Sequence, residues 1–258
     1  MEPANFFQAY VKDRRLGRIE RFARESFDHL VRYVASDAGA EGLVAFANLV
    51  PGREREQIRE QVEYFRSIGQ PFEWKVYELD QPRSLEAILL AESFAAGERE
   101  AFMAFQLRES TPYIAPFDGA WRVERVTSER GVRHVLSVQE RVWGRTFEWL
   151  YPQLSQTLMR EPDELSVYCA YAGDEPIGSG WVEYPEGSRF PELHGGAVLK
   201  AWRGRGVFAE LLGIRLREAE SRRYEFLCVD ASPMSRPILE KAGFLHICTT
   251  VPMRKSVA

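Results

Sequence analysis

Leu199-Lys200-Ala201-Trp202-Arg203-Gly204-Arg205-Gly206-Val207-Phe208 is the stretch on which the reading of this chain turns. An apolar run, Gly196-Ala197-Val198-Leu199, leads into it, and a helical pattern, Phe208-Ala209-Glu210-Leu211-Leu212-Gly213-Ile214, leads out. The order is strand, basic glycine turn, helix start. The first backbone N–H groups of a helix have no intrahelical partner and sit at the positive end of its dipole. Such a terminus is a seat for a phosphate or diphosphate. Gly204 and Gly206 let the backbone come close to an anion, and Arg203 and Arg205 add charge. Alone, a loop of this kind is a weak signal; its surroundings decide it.

The surroundings exclude several classes. The 258 residues carry 34 basic and 38 acidic side chains, a net charge of −4, which is not the footprint of a nucleic-acid surface. Cys169, Cys228 and Cys248 stand in apolar, strand-like runs with no disulfide or zinc spacing, and the four histidines are scattered, so no metal site is expected. The N-terminus has no secretory pattern, and no apolar run approaches the roughly 18 residues of a membrane span. A cytoplasmic location is the expectation.

A polar stretch with two prolines, residues 108–119, separates two patterned regions. Beyond it the pattern predicts a strand at 121–126, helices at 129–143 and 146–160, a hairpin of 166–172 with 177–184, and a strand at 192–199. After the glycine turn come a helix at 208–223, a strand at 224–230, a short helix at 235–242 ending at Gly243, and a last strand at 244–253. Antiparallel hairpins with one parallel crossover make a mixed α/β (α+β) layer fold. The first half holds an echo. Phe72-Glu73-Trp74-Lys75-Val76-Tyr77-Glu78 is a strand like 224–230, preceded by a strand at 42–47 and an amphipathic helix at 53–67. Between those two, Asn48-Leu49-Val50-Pro51-Gly52-Arg53 lacks the basic glycine arrangement. Either the chain is a tandem duplication whose first copy has lost the anion loop, or two ordinary strand-helix-strand units share an order.

On these residues the chain resembles the GNAT superfamily of acyl-CoA-dependent N-acetyltransferases, over roughly residues 120–255. The family's loop signature, Arg/Gln-x-x-Gly-x-Gly/Ala, falls on Arg203, Gly206 and Phe208, with Phe208 where a small residue is usual. A second signature, an Asn and a Tyr ahead of Gly-Phe, falls on Ser232, Leu239, Gly243 and Phe244, with Ser232 for Asn and Leu239 for Tyr. Two motifs in order, about 40 residues apart, weigh more than either alone.

The resemblance implies two tandem GNAT folds: a degenerate unit without a cofactor loop at residues 1–112 and a catalytic one at 118–258. It implies acetyl-CoA as cofactor. The diphosphate would lie on the amides of 205–208, with Arg203, Gly204, Arg205, Gly206, Val207 and Phe208 forming the seat. The cofactor's amide-bearing arm would pair with Ala197, Val198 and Leu199 like an added strand. Ser232 would touch that arm or cap the following helix. The resemblance also implies direct attack of a primary amine, on a small molecule or a protein, on the thioester. Glu192 is the first candidate to take the amine's proton and Glu183 the second; His194, on the same face as Glu192 in a regular strand, would share the work or be an ordinary histidine. A main-chain N–H near Val198 would meet the developing oxyanion. Trp143, Phe147, Trp149, Leu150 and Tyr151 would wall the acceptor site or simply pack helices on the sheet. Cys228 reads as core. Leu239 cannot protonate a departing thiolate, which leaves an acyl-CoA sensor without turnover as the rival. Aminoacyl transfer from tRNA is a third reading, disfavoured by the acidic balance. No nucleic-acid or membrane partner is expected, and a homodimer is left open.

Overall fold

The computed structural model describes residues 2–17, 22–35, 41–107 and 120–257. The first helix, α1 (Pro3–Tyr10), runs into a π-turn at Val11–Arg15. Strands β1 (Phe22–Phe27) and β2 (Leu30–Ala35) form a hairpin. Strand β3 (Gly42–Ala47), helix α2 (Glu54–Ser67) and strand β4 (Phe72–Tyr77) form a parallel crossover. Helix α3 (Leu85–Ala91), a two-residue β5 (Ala95–Ala96) and β6 (Glu100–Gln106) follow. Then come β7 (Arg122–Arg125), α4 (Glu129–Trp143), α5 (Leu150–Arg160), β8 (Leu165–Ala172) and β9 (Glu175–Glu183). The second crossover is β10 (Glu192–Val198), α6 (Val207–Ser221) and β11 (Phe226–Ala231). Helix α7 (Arg236–Lys241) and β12 (Leu245–Lys255) end the chain.

Two compact units result, Met1–Ala104 with Asp230–Ala258, and Phe105–Val229. In the first, the strands lie in the order β1-β2-β3-β4-β12-β6. Residues 230–258, expected with the second half of the chain, pack here instead. The reason is the eleven-residue β12, which pairs antiparallel with β4 through six register pairs, Thr250↔Tyr77 to Lys255↔Phe72, and with β6 on its other edge. The break expected between 112 and 118 lies outside the described residues. Helix α2 buries Ile58, Val62 and Phe65, spaced four and three apart, and leaves its Arg and Glu side chains in water. Phe65 stacks on Phe72 at 4.2 Å, over a core that includes Trp74, Leu89 and Met253.

The second unit orders its strands β11-β10-β9-β8-β7. Strand β8 is buried from Leu165 to Tyr171 because both faces are covered. Leu165, Val167, Cys169 and Tyr171 pack with α4 and α5 residues, while Tyr168 and Ala170 pack with Val207 and Leu211 of α6. Ser128 caps α4 by accepting from the Gly131 N–H at 3.3 Å, and Gly144 ends it with φ 65°. The same strand-helix-strand crossover thus stands in each unit, as the echo in the sequence suggested. Helix α1 and the β1–β2 hairpin carried no clear periodic signal and were not anticipated. Among the described residues no helix is long and apolar enough to cross a membrane, and no group of three or more His, Cys, Asp and Glu side chains could hold a metal ion.

Candidate active site

Strand β10 leaves its parallel neighbour early. The pairing with β11 is the single register pair Glu192↔Cys228, supported by the Cys228 N–H donating to the Pro191 carbonyl at 2.9 Å. Beyond it β10 stays paired with β9 alone, through Ala197↔Ser179 and Val198↔Gly178. The Ala197–Val198 edge is therefore free of a parallel ladder. Leu199 differs from expectation: its N–H donates to the Ile177 carbonyl at 2.9 Å and its carbonyl accepts from Trp202, so both main-chain groups are engaged.

Within β10 the register shifts between His194 and Ala197, a bulge at Gly195-Gly196. Gly195 has φ 57°, and a Cβ there would lie 1.7 Å from the Trp181 ring. Three side chains hold the bulge. Gln139 of α4 donates Nε2–H bonds to the Gly195 carbonyl (2.7 Å) and to Ser179 Oγ (2.9 Å), and Ser179 also donates to Gly195 (3.2 Å). Arg215 of α6, 1% exposed, donates Nη1 to the His194 and Trp181 carbonyls at 3.4 and 3.5 Å and Nε to Leu211 at 2.7 Å. Gly180 makes room for it, since a Cβ there would meet the guanidinium at 2.8 Å. Burial pulls the Arg215 pKa down to about 10, which still leaves it charged at neutral pH.

The bulge places His194 between two carboxylates. Its Nε2 lies 3.6 Å from Glu192 Oε2 and 3.8 Å from Glu183 Oε2, and its ring stacks on Trp181 at 6.2 Å. Glu192 and Glu183 face each other across the β9–β10 ladder. The three residues singled out for proton transfer thus converge. The His194 side chain is 37% exposed, while its Nε2 atom, beside the carboxylates, is buried.

At the far end of β10, a 3-10 turn (Lys200–Trp202) and the glycine turn lead into α6. Gly204 (φ 74°) and Gly206 (φ 85°) both adopt the left-handed backbone that favours glycine. Gly206 is the N-cap and no side chain caps the helix, so the first-turn amides at 207–209 point out without side-chain partners. Arg205 lies over the Trp202 ring at 5.0 Å. Arg203 turns inward through Nε to the Val198 carbonyl at 3.0 Å, which ties the turn to the strand. The Phe208 ring packs toward Gly196, where a Cβ would stand 3.1 Å from it; the missing side chain at 196 accommodates the large one at 208.

A family model for an acetyltransferase (GNAT) domain matches residues 127–255. The chain belongs to the GNAT acetyltransferase superfamily. Solved GNAT structures are similar over most of its length. A GCN5-related N-acetyltransferase from Kribbella flavida aligns at TM-score 0.70 and 12% identity, covering 98% of this chain and 93% of that one. One from Sphaerobacter thermophilus aligns at 0.60 and 15% identity, covering 90% and 83%. A tandem GNAT protein from the clavulanic acid biosynthesis pathway aligns at 0.57 and 13% identity, covering 89% and 78%. At such identities the likeness is one of fold, and it gives this GNAT chain a tandem arrangement. A comparison with curated proteins finds no match.

Other expected GNAT positions fall differently. Ser232 lies in the first unit and makes the hydrogen bonds of a cap: its carbonyl accepts from the Arg236 N–H at 2.9 Å and its Oγ from the Ser235 N–H at 3.3 Å, so the turn that leads into α7 starts from it, ahead of the regular helix at Arg236. Leu239, also in the first unit, is 2% exposed and packed. Phe147 and Leu150 are core residues under α4 and α5, whereas Trp143 and Trp149 are 45% and 63% exposed. All three cysteines are buried; burial raises the Cys169 thiol to about 11 and Cys248 to about 12, so neither is a ready thiolate. Gln139 and Arg215 were not singled out from sequence. The available signal was a polar residue inside an apolar helical stripe, beside Val135 and Leu136 in one helix and Leu211, Leu212 and Leu216 in the other.

Proposed function

We propose that the second unit transfers an acetyl group from acetyl-CoA to a primary amine of a small molecule or protein. The observation that carries this reading is the convergence, along one strand, of an uncapped helix start, an unladdered edge and a histidine between two carboxylates. The first-turn amides of α6, with Arg205 beside them, are donors suited to a diphosphate. The Ala197–Val198 edge, where Arg203 already takes the Val198 carbonyl, leaves the Val198 N–H to an amide-bearing arm. Acetyl-CoA would supply an activated acyl thioester.

An amine is protonated at neutral pH and must lose that proton before it can attack. Glu192 and Glu183 attract the ammonium, and His194, flanked by both, takes the proton directly or through a water. A main-chain donor on the β10 edge meets the charge that develops on the carbonyl oxygen. The nitrogen sheds a second proton as the amide forms; one of the two leaves to solvent and the one that His194 holds returns to the departing sulfur, which removes the need for the tyrosine that Leu239 replaces. The buried Leu239 favours a second reading, an acyl-CoA sensor that does not turn over. Free thiol release from acetyl-CoA across a panel of amines, run beside a calorimetric titration with CoA, separates the two. Release on at least one amine is the expected result; binding without release on any of them would favour the sensor.

A further inference from the structure

We infer that the Arg15 guanidinium is a built-in ligand closing the strand slit of the first unit, so that the chain takes one CoA molecule and not two. The inference rests on the proposed function and on the tandem fold. In the first unit β3 pairs in parallel with β4 at Gly42↔Phe72, Leu43↔Glu73 and Val44↔Trp74, and the next contact is a lone bridge, Asn48↔Gln81. Between them the strands part, as β10 and β11 do in the second unit. Here the gap is filled. Arg15 donates Nε to the Ala45 carbonyl of β3 at 2.7 Å and Nη2 to the Lys75 carbonyl of β4 at 3.4 Å, bridging the two strands in place of ladder bonds.

The guanidinium is held from every side. Asp80 accepts from Nη1 at 2.5 Å and from Nη2 at 2.9 Å, and Asp80 Oδ2 also accepts the Tyr77 N–H at 2.9 Å. The Tyr77 ring lies 4.3 Å from the guanidinium carbon, and Arg15 is 4% exposed. Burial works against the charge, but Asp80 outweighs it and holds the pKa above the ordinary arginine value. The segment that delivers Arg15 is anchored apart from it: Phe7 meets Tyr77 at 5.3 Å, Tyr10 meets Phe102 at 4.5 Å, and the Tyr10 and Tyr77 hydroxyls are 3.2 Å apart. The diphosphate end is also less suited to an anion: the first turn of α2, uncapped by any side chain, carries the acidic Glu54 and Glu56, and Gln57 Oε1 takes the Val50 amide ahead of the helix at 2.8 Å. A cofactor arm entering this slit would have to displace Arg15 and leave Asp80 buried without its partner, which is strongly unfavourable.

Two measurements test this. The first is a calorimetric titration of CoA into the intact chain and into Gly206→Glu. One CoA per wild-type chain and none for Gly206→Glu is expected; two per wild-type chain, or one retained in Gly206→Glu, would overturn the inference. Zero for wild type would refute the cofactor reading of the second unit, and the closed slit would then be decided by the second measurement. That is the thermal unfolding of Arg15→Ala with low-millimolar guanidinium chloride or equal sodium chloride. The substitution should lower Tm by roughly 10 °C, as expected for breaking a buried pair. Guanidinium alone should restore part of the loss by entering the slot beside Asp80. An unchanged Tm, or equal effects of the two salts, would overturn it. If Arg15→Ala does not fold, Arg15→Lys replaces it, because an ammonium cannot span both strands and the carboxylate; wild-type stability in that variant would overturn the inference.

Discussion

Gly195→Ala should damage the second unit through one contact. The new Cβ would lie 1.7 Å from Trp181 Cζ3, and the residue must keep φ near 57° for the bulge to persist. A left-handed backbone costs an alanine about 1–2 kcal/mol. Forcing a buried ring aside costs about 1–3 kcal/mol. The sum, about 2–5 kcal/mol, corresponds to a Tm loss of roughly 5–15 °C in a chain of this size. The two contributions separate in a double-mutant cycle with Trp181→Leu, which removes the ring but not the backbone requirement. In that background Gly195→Ala should cost only the backbone share, about 1–2 kcal/mol. Urea unfolding followed by circular dichroism reads all four proteins. An equal cost in both backgrounds would show that Trp181 does not press on the bulge.

Three further outcomes are expected. On an amine that supports turnover, Glu192→Gln should lower kcat about 100-fold with CoA affinity unchanged, as measured by thiol release, while Glu183→Gln has a smaller effect. Arg215→Met removes a buried cation but leaves the His194 and Trp181 carbonyls without a donor, so net stability should move by no more than about 2 kcal/mol. Hydrogen exchange at residues 194–196 should nevertheless speed up at least about tenfold, because the bulge has lost a support. Glu218 is buried, which raises its pKa, but hydrogen bonds from Tyr168, Ser166 and Arg222 outweigh this and hold it below the usual 4.5. A lowered folded-state pKa stabilises above the unfolded value and is lost as pH falls through the folded one. Glu218→Gln should therefore lower Tm at pH 7, with the gap to wild type narrowing below about pH 4.5 in a thermal-shift series.

The second unit was legible because its elements announce themselves. Residues 129–143 combine a capping serine, apolar spacing of three and four, and a terminal glycine, and they form α4 with those limits. The glycine turn could be read for the same reason: Gly204 and Gly206 adopt the backbone that only glycine adopts easily. Alternation along β10 put Glu192 and His194 on one face, but the cross-strand partner Glu183 depends on the β9 register, which sequence does not fix. The unit division was not legible either. Strand β12 reads like any last strand, and only its pairing with β4 assigns it to the first unit. Arg15 lies in a polar, basic stretch, Val11-Lys12-Asp13-Arg14-Arg15, with no apolar pattern to mark it as buried. Its partner Asp80 is 65 residues away, and no local pattern joins them.

Under the proposed function the opening amides of α6 hold the diphosphate of CoA. Backbone amide NMR of the labelled chain during addition of CoA tests it most directly. The Gly206, Val207, Phe208 and Ala209 resonances should move together and saturate with the binding curve, and pantetheine, which lacks the diphosphate, should leave them in place. Saturable CoA binding with those four amides unmoved would place the diphosphate elsewhere.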